Sequence, residues 1–280
     1  MTRCFSAWDI AFERIPSRRL GMSLGRAVLL GALLPSPAPA ASPDLPAMLE
    51  QIGKRVEQFA RHFSAVVCRE TVTQEKLDAR GKVIAKNSFE DSYTIVVQAA
   101  EGDLKVEESR EMQRNAPQKA ATQPLMMTNG FSTLVLVFHP RFQSRYEFSS
   151  GADENLEGRL VHRMDFEQVD GTPALSVLKL RGADYPVRWK GSAWVDPQSW
   201  AIVRLQASLK DPIEEIGLKA LDSDVLYGST QYPGSGETYW LPRSALIQAK
   251  TQRQHWRNLH RFQDYRRFTV DTKITVQAPE

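Results

Sequence analysis

The sequence contains very little cysteine, which excludes one common way of stabilising an exported chain. Only Cys4 and Cys68 occur among the 280 residues. Cys4 lies in a segment that we expect to be removed, so no disulfide can form within the mature chain. Cys68 stands in an apolar stretch without a flanking histidine or helix start that would activate its thiol. Its position predicts a small buried side chain rather than a nucleophile.

A long apolar run is also missing, and the short run that is present predicts export. Residues 27–34 form an eight-residue apolar core after Arg26, and residues 38–40 (Ala-Pro-Ala) supply the small residues of a cleavage site. A helix that spans a bilayer needs about 20 apolar residues. The combination is typical of a secretory signal peptide. We therefore predict a signal peptide over residues 1–40, translation from Met1 or Met22, and a periplasmic protein that is soluble after cleavage.

An excess charge of one sign is absent from the predicted mature chain. The whole sequence has 36 Lys and Arg residues against 33 Asp and Glu residues, a net charge of +3. The leader contains five of the basic residues and two of the acidic ones, which leaves 31 of each. The basic excess is therefore lost with the leader, and the charge balance gives no support for a nucleic-acid partner.

The motifs of common metal and hydrolytic sites are lacking as well. None of the five histidines belongs to an H-x-x-x-H or H-E-x-x-H motif, and no serine of the predicted mature chain lies in G-x-S-x-G. Glu70, Glu107, Glu108 and Asp165 occur in strand and turn contexts, and one sequence cannot pair them across a cleft. The sequence thus predicts no catalytic residue, no metal and no cofactor, and it disfavours an enzyme.

One amphipathic helix follows the leader. Apolar residues recur there at spacings of three and four, at Leu49, Ile52, Val56, Phe59 and Phe63. This spacing places them on one face of a helix, and Asp44 or Ser42 can cap its start. The stripe predicts a helix that packs on a core or covers the open mouth of a sheet.

Beyond Ser64 the pattern changes to runs of β-branched and aromatic residues separated by turn signals. The predicted turns include residues 79–82, 151–153, 170–171 and 196–199, and we expect the last two to join hairpins. Strand alternation places four side chains on one face, namely Leu160, His162, Met164 and Phe166. Consecutive hairpins imply antiparallel pairing, and the lack of alternating helices disfavours a parallel sheet.

Two segments interrupt the strand pattern. Residues 113–127 are predicted to form a loop, and residues 129–140 are strongly apolar. In the apolar segment Phe131, Leu134, Val135 and Phe138 share a helical face, although periodicity alone cannot exclude a buried strand. We predict a helix because the run ends before Pro140. One further helical turn is predicted over residues 211–217.

A local motif carries a resemblance to a known family. Residues 191–204 (GSAWVDPQSWAIVR) are similar to the hairpin G-x-x-W-[VI]-D-x-x-[TS]-x-x-[IV]-x-R of exported proteins, and residues 240–242 (Trp-Leu-Pro) form a typical strand start. Together with the export signal and the predicted elements, the chain resembles the lipoprotein-localisation-factor superfamily of envelope carriers. The resemblance implies an α+β fold in one domain over residues 41–280. In that fold a curved antiparallel β-sheet forms an incomplete barrel. Helices lie on its concave side, where lipid chains are held.

The leading functional expectation is non-enzymatic binding or carriage of a hydrophobic or lipidated ligand. The predicted lining consists of Tyr93, Ile95, Val97, Phe131, Leu134 and Phe138. The alternative is a structural or regulatory envelope module that binds another protein. A continuous apolar cavity favours the carrier, whereas a filled core favours the interaction module.

Residues 250–267 form an arginine-rich segment with a single acid, Asp264. If the strand is unbulged, one of its faces presents Arg253, Arg257, Arg261 and Arg267, and Arg266 points to the other side. These four arginines are the predicted anion-facing patch, with an anionic membrane surface or an envelope protein as partner. The alternative is a solvated face whose arginines pair with acids on neighbouring strands.

Overall fold

A computed structural model describes residues 44–63, 66–100, 103–112, 129–180, 183–232 and 238–267. All of them belong to one compact unit. The predicted signal peptide and the predicted loop at residues 113–127 lie outside the described residues. The helices are α1 (Leu45–Phe63), a 3₁₀ helix (Leu134–Phe138), α2 (Pro140–Gln143) and a second 3₁₀ turn (Glu214–Ile216).

The strands are β1 (Val66–Leu77), β2 (Val83–Ala100), β3 (Asp103–Met112), β4 (Tyr146–Leu156), β5 (Arg159–Gln168), β6 (Ser176–Leu180), β7 (Ala183–Val187), β8 (Trp189–Val195), β9 (Ile202–Leu209), β10 (Leu218–Thr230), β11 (Tyr239–Thr251) and β12 (His255–Arg267). Ten of them form one antiparallel sheet in the order β3-β2-β1-β12-β11-β10-β9-β8-β5-β4. Because β3 and β4 are not paired with each other, the sheet is not closed into a barrel. Strands β6 and β7 form a separate hairpin. The predicted antiparallel architecture is confirmed.

Helix α1 covers one face of this sheet. Asp44 caps it, since its Oδ1 accepts the Ala47 N–H at 3.1 Å and its carbonyl accepts the Met48 N–H at 3.0 Å. The predicted stripe is buried, apart from a partly buried first residue. Phe59 meets Tyr227 of β10 edge to face, with ring centroids 6.0 Å apart. The helix also contacts β2, β11 and the first 3₁₀ helix.

The predicted mid-chain helix exists but is shorter and tighter than the sequence suggests. All five side chains of Leu134–Phe138 are buried, so the segment has no polar face. A 3₁₀ helix with three residues per turn suits such a short buried piece better than an α-helix. Pro140 follows this helix and also begins α2. His139 caps α2, because its Nδ1 accepts the Arg141 N–H at 3.2 Å.

Two of the predicted turns join hairpins as expected. Asp78 Oδ1 accepts the N–H groups of Arg80 and Lys82 between β1 and β2. Asp196 Oδ1 accepts those of Gln198 and Ser199 between β8 and β9. In both turns a short carboxylate side chain satisfies backbone donors that would otherwise lack an acceptor.

Two other turn predictions are wrong. The turn at residues 170–171 joins no hairpin, because β5 pairs with β8 and the chain first leaves the sheet for β6 and β7. Residues 151–153 are not a turn but a β-bulge within β4, where the register passes from Ser150–Met164 to Asp153–His162. The β4–β5 turn is formed by Glu157 and Gly158, both with positive φ.

Candidate functional site

The six predicted ligand residues meet in one apolar cluster. Five of them are at most 8% exposed, namely Tyr93, Ile95, Val97, Leu134 and Phe138. The sixth, Phe131, is partly buried and packs on Trp189, with ring centroids 6.4 Å apart. Strand alternation therefore buries the three β2 residues in the same apolar cluster as the 3₁₀ helix.

The cluster is filled by side chains rather than by an open cavity. A cavity of about 30 Å³ lies beside Phe59, Val135 and Tyr227, and one of about 10 Å³ lies beside Tyr93 and Phe131. A dry cavity that holds benzene measures about 150 Å³. Neither cavity therefore accommodates a lipid chain without displacement of protein groups.

A charged cluster lies on the same face of the sheet, next to the apolar residues. Glu70 of β1 is fully buried. Its carboxylate accepts hydrogen bonds from Arg110 Nε at 2.5 Å, Arg110 Nη2 at 3.0 Å and His260 Nδ1 at 2.7 Å. Burial acts to raise the pKa of Glu70, but the hydrogen bonds from His260 and Arg110 outweigh it, and the pKa lies below its ordinary value.

Residues 129–132, which precede the 3₁₀ helix, form hydrogen bonds with residues in and beside this charged cluster. Gly130 N–H donates to Glu108 Oε1 at 2.9 Å, and the hydroxyls of Tyr93 and Ser132 are 2.7 Å apart. Arg110 also donates to the side-chain oxygen of Asn129. We call these three contacts the latch. They attach the start of an apolar segment to β2 and β3.

The other acids of the charged cluster differ from Glu70. Burial raises the pKa of Glu108 above its ordinary value, despite the opposing Arg110 charge and Gly130 N–H. Burial and the Glu70 charge raise the pKa of Asp91. The sequence analysis treated Glu70 and Glu108 as ordinary strand acids. The missed signal is the alternation of β1, which places Glu70 on the face of the apolar residues Cys68 and Val72.

The predicted anion-facing arginines do not lie on one face. Arg253 is in the turn between β11 and β12, and Arg257 donates to Glu75 Oε2 at 2.6 and 2.8 Å. Asp264 has a positive φ of 56°, and the pairing of β12 with β1 shifts there by one residue. This bulge reverses the alternation, so Arg266 shares the side of Arg257 and Arg261, whereas Arg267 lies opposite the buried Val66.

A hydrogen-bonded row of three polar side chains crosses β4 and β5. Ser150 Oγ is 2.9 Å from His162 Nε2, and His162 Nδ1 is 2.7 Å from Asp153 Oδ1. The sequence analysis found no such constellation, because only the bulged register of β4 against β5 brings these residues together.

In the part of the chain that the structure describes, no group of three His, Cys, Asp or Glu side chains is close enough to hold a metal ion. The described helices include none that is long and apolar enough to cross a bilayer.

Comparison with known proteins gives similar structures at low sequence identity. A domain described as an outer membrane lipoprotein-sorting protein from Vibrio parahaemolyticus is 12% identical, with a TM-score of 0.42 over 80% of this chain and 95% of that one. A LolA superfamily protein from Nitrosomonas europaea is 8% identical, with a TM-score of 0.40 over 80% and 94%.

A DUF1329 family protein from Desulfovibrio piger is 11% identical, with a TM-score of 0.40 over 81% of this chain and 95% of that one. No family model and no curated protein matches the chain.

Proposed function

We propose that this protein binds a hydrophobic or lipidated ligand in the periplasm, and that the apolar chain of the ligand replaces the 3₁₀ helix Leu134–Phe138 on the sheet. The observation that carries the proposal is the construction of this segment. It is five consecutive buried apolar residues, preceded by a polar latch. Its removal would leave an apolar groove on what we propose to be the concave side of the sheet.

The size of the ligand follows from the cost of displacement. Exposing a buried Leu, Val or Phe side chain costs about 1.5–3 kcal/mol, so the five residues together cost roughly 10 kcal/mol. A buried methylene contributes about 0.8 kcal/mol. A chain of roughly a dozen methylenes is then needed to offset the displaced helix. The proposal therefore names long acyl chains, and short fatty acids should bind poorly.

The test is displacement of a fluorescent apolar probe from the mature protein by a long-chain fatty acid or a lipopeptide. Leu134→Glu places a charge in the proposed groove and should abolish probe binding. Leu160→Glu is the matched control, because Leu160 is 57% exposed on β5, and it should bind like the wild type. The proposal fails if the wild type never binds the probe. Unfolding of Leu134→Glu in the same case would identify the segment as ordinary core.

A second candidate function is favoured by the filled interior. An envelope module that binds another protein needs no cavity, and the two cavities of about 30 and about 10 Å³ fit that function directly. Mass spectrometry of organic extracts from protein purified out of its native envelope separates the two candidates. A copurified acyl ligand supports the carrier, and its reproducible absence supports the interaction module.

We also propose an anion-facing surface on the outer side of β12. Its members are Arg253, Arg257, Arg261 and, because of the bulge, Arg266 in place of Arg267. The support is the exposure of Arg253, Arg261 and Arg266. The Arg257–Glu75 ion pair instead supports the alternative, a solvated face whose arginines pair with acids on neighbouring strands.

A further inference from the structure

We propose that Ser150, His162 and Asp153 form a hydrolytic triad, and that it acts on carboxylic esters with an apolar acyl group. The proposal does not rest on displacement of the 3₁₀ helix, since the three residues lie on β4 and β5. It gives the protein an activity that neither its sequence motifs nor its structural neighbours indicate.

The geometry assigns one role to each group. An ionised carboxylate can only accept a hydrogen bond, so the contact of 2.7 Å with Asp153 places the proton of neutral His162 on Nδ1. Nε2 is then the acceptor, and it lies 2.9 Å from Ser150 Oγ. Both the choice of ring nitrogens and the distances are those of a nucleophile, a general base and an orienting acid.

The nucleophile is accessible and its position depends on the bulge. Ser150 and Asp153 are exposed, and the His162 side chain is 17% exposed. Because of the bulge, Ser150 lies opposite Met164 while Asp153 lies opposite His162. The strands approach closely at Gly151, since a Cβ on it would lie 3.1 Å from the Arg163 side chain and would force a small shift of its neighbour. A bulge that aims a side chain is a common device next to active sites.

The oxyanion of an ester needs hydrogen-bond donors, and the edge of the sheet offers them. In the described part of the chain, β4 is the last strand of the sheet and pairs only with β5. Alternate N–H groups on its outer edge therefore have no partner strand. The proposal assigns the stabilisation of the charge that develops on the carbonyl oxygen to such backbone donors of β4.

The surroundings of the row select the acyl group. Residues that are directly opposite in an antiparallel pair have side chains on the same face. Ser150 is paired with Met164 and His162 with Val195, which are 0% and 1% exposed and belong to the apolar cluster. Both side chains are covered, but Phe148, two residues before Ser150 on the same face of β4, is only partly buried. An ester carbonyl at Ser150 would therefore direct an apolar acyl group toward Phe148 and its alcohol toward solvent.

The reaction proceeds in two balanced steps. In the first, Ser150 Oγ attacks the ester carbonyl carbon as its proton passes to His162 Nε2. The ester C–O bond then breaks, and the alcohol leaves with that proton. In the second, water attacks the acyl-serine, His162 accepts a proton from the water and returns it to Ser150, and the carboxylic acid leaves. The sum is ester plus water to acid plus alcohol.

The experiment is covalent labelling of the mature protein with a fluorophosphonate, followed by peptide mass spectrometry and hydrolysis of p-nitrophenyl butyrate. We expect the label on Ser150 and its loss in Ser150→Ala. Ser149→Ala is the matched control, because Ser149 is an exposed neighbour that points to the other face, and it should label like the wild type. His162→Gln and Asp153→Asn should each lower the hydrolysis rate by roughly 10²-fold or more.

Absence of labelling on the wild type, or labelling that survives in Ser150→Ala, overturns the proposal. Circular dichroism and thermal unfolding verify that each variant is folded. Probe binding by Ser150→Ala is measured in parallel, because it should remain intact. A loss of hydrolysis is thereby distinguished from a failure of ligand binding.

Discussion

Glu70 and Glu108 show how two carboxyl groups joined by the same arginine acquire opposite pKa shifts. Both interact with Arg110, but Glu70 also receives a hydrogen bond from His260, whereas Glu108 receives one from the backbone of Gly130. The extra charge-assisted bonds offset burial at Glu70 and fail to do so at Glu108. Strand alternation can place an acid on the buried face. The partners that decide its pKa come from strands far apart in sequence, and the sequence alone cannot supply them.

This difference predicts opposite effects for Glu70→Gln and Glu108→Gln. The folded-state pKa of Glu70 is lowered, so its stabilisation is present above the ordinary pKa of 4.5 and is lost as the pH falls through the folded-state value. Glu70→Gln should therefore lower the free energy of unfolding at pH 7 by about 3 kcal/mol, as expected for a broken buried ion pair. The deficit should shrink below pH 4.5.

The folded-state pKa of Glu108 is raised, so its contribution is present below 4.5 and is lost as the pH rises through the folded-state value. Glu108→Gln should therefore be neutral or stabilising at pH 8, with a smaller effect at pH 4, and its amide oxygen still accepts the Gly130 N–H. Urea unfolding of both variants at three pH values measures the effects. Equal destabilisation by both variants at pH 8 would contradict the two pKa shifts.

The hairpin motif at residues 191–204 has a structural role at the same scale. A Cβ on Gly191 would collide with the Gln206 carbonyl, which accounts for its glycine. Trp194 Nε1 donates to Glu154 at 2.7 Å, and the Arg204 guanidinium lies over the Trp194 ring at 5.0 Å from its centroid. The conformation of a hairpin, rather than a ligand, therefore requires these residues.

The secondary-structure elements show where sequence patterns fail. Periods of 3.6 and 2 predict α1 and the strand faces correctly, because each element buries one side. The bulge at residues 151–152 has a sequence signal that is typical of a turn, and the bulge at Asp264 has none, yet each reverses the alternation beyond it. The first bulge brings Ser150, His162 and Asp153 to the same face, which regular alternation does not predict. The second places Arg266, and not Arg267, on the side of Arg257 and Arg261.

The bulge in β12 can be tested with two variants of equal charge. Arg261→Ala with Arg266→Ala removes two charges from the proposed anion-facing surface, whereas Arg261→Ala with Arg267→Ala removes one from each side. The first pair should reduce binding to anionic liposomes more than the second. The difference should be largest at low salt, because exposed charges are screened over about 10 Å at 0.1 M.

Cosedimentation with vesicles of zwitterionic and anionic composition gives the readout. Wild-type binding that does not depend on anionic lipid would rule out the proposed surface. Equal losses in the two variants would rule out the assignment of faces, and the paired alternative would then stand.

At the scale of the whole molecule, the antiparallel class follows from the sequence, whereas the strand order does not. Local turn signals predict which neighbours in the chain pair, as in β1–β2 and β8–β9. They cannot predict that β5 pairs with β8 rather than with β6 or β7, which come next in the sequence. Nor can they predict that β1 pairs with β12. These pairings are long-range, and they depend on total packing rather than on any local pattern.

The pairing of β1 with β12 predicts the effect of a C-terminal truncation. A chain that ends before His255 lacks the strand between β1 and β11, so β3-β2-β1 has no neighbour in the remaining sheet. We expect this truncated protein to lose cooperative unfolding and to be cleaved by protease within β1–β3 sooner than within β8–β11. Limited proteolysis with mass spectrometry measures the order of cleavage. If β1–β3 are instead fully protected from cleavage, their contacts with helix α1 are sufficient to keep them folded.

The same pairing sets the order in which the molecule can be assembled as it is synthesised. The β1–β3 meander pairs with β12, which is the most C-terminal strand in the part of the chain that the structure describes. Until that strand arrives, the growing chain has no complete sheet, and the long loop that must close makes folding slow. We therefore expect the β1–β3 meander to gain its second sheet neighbour only after β12 has been synthesised.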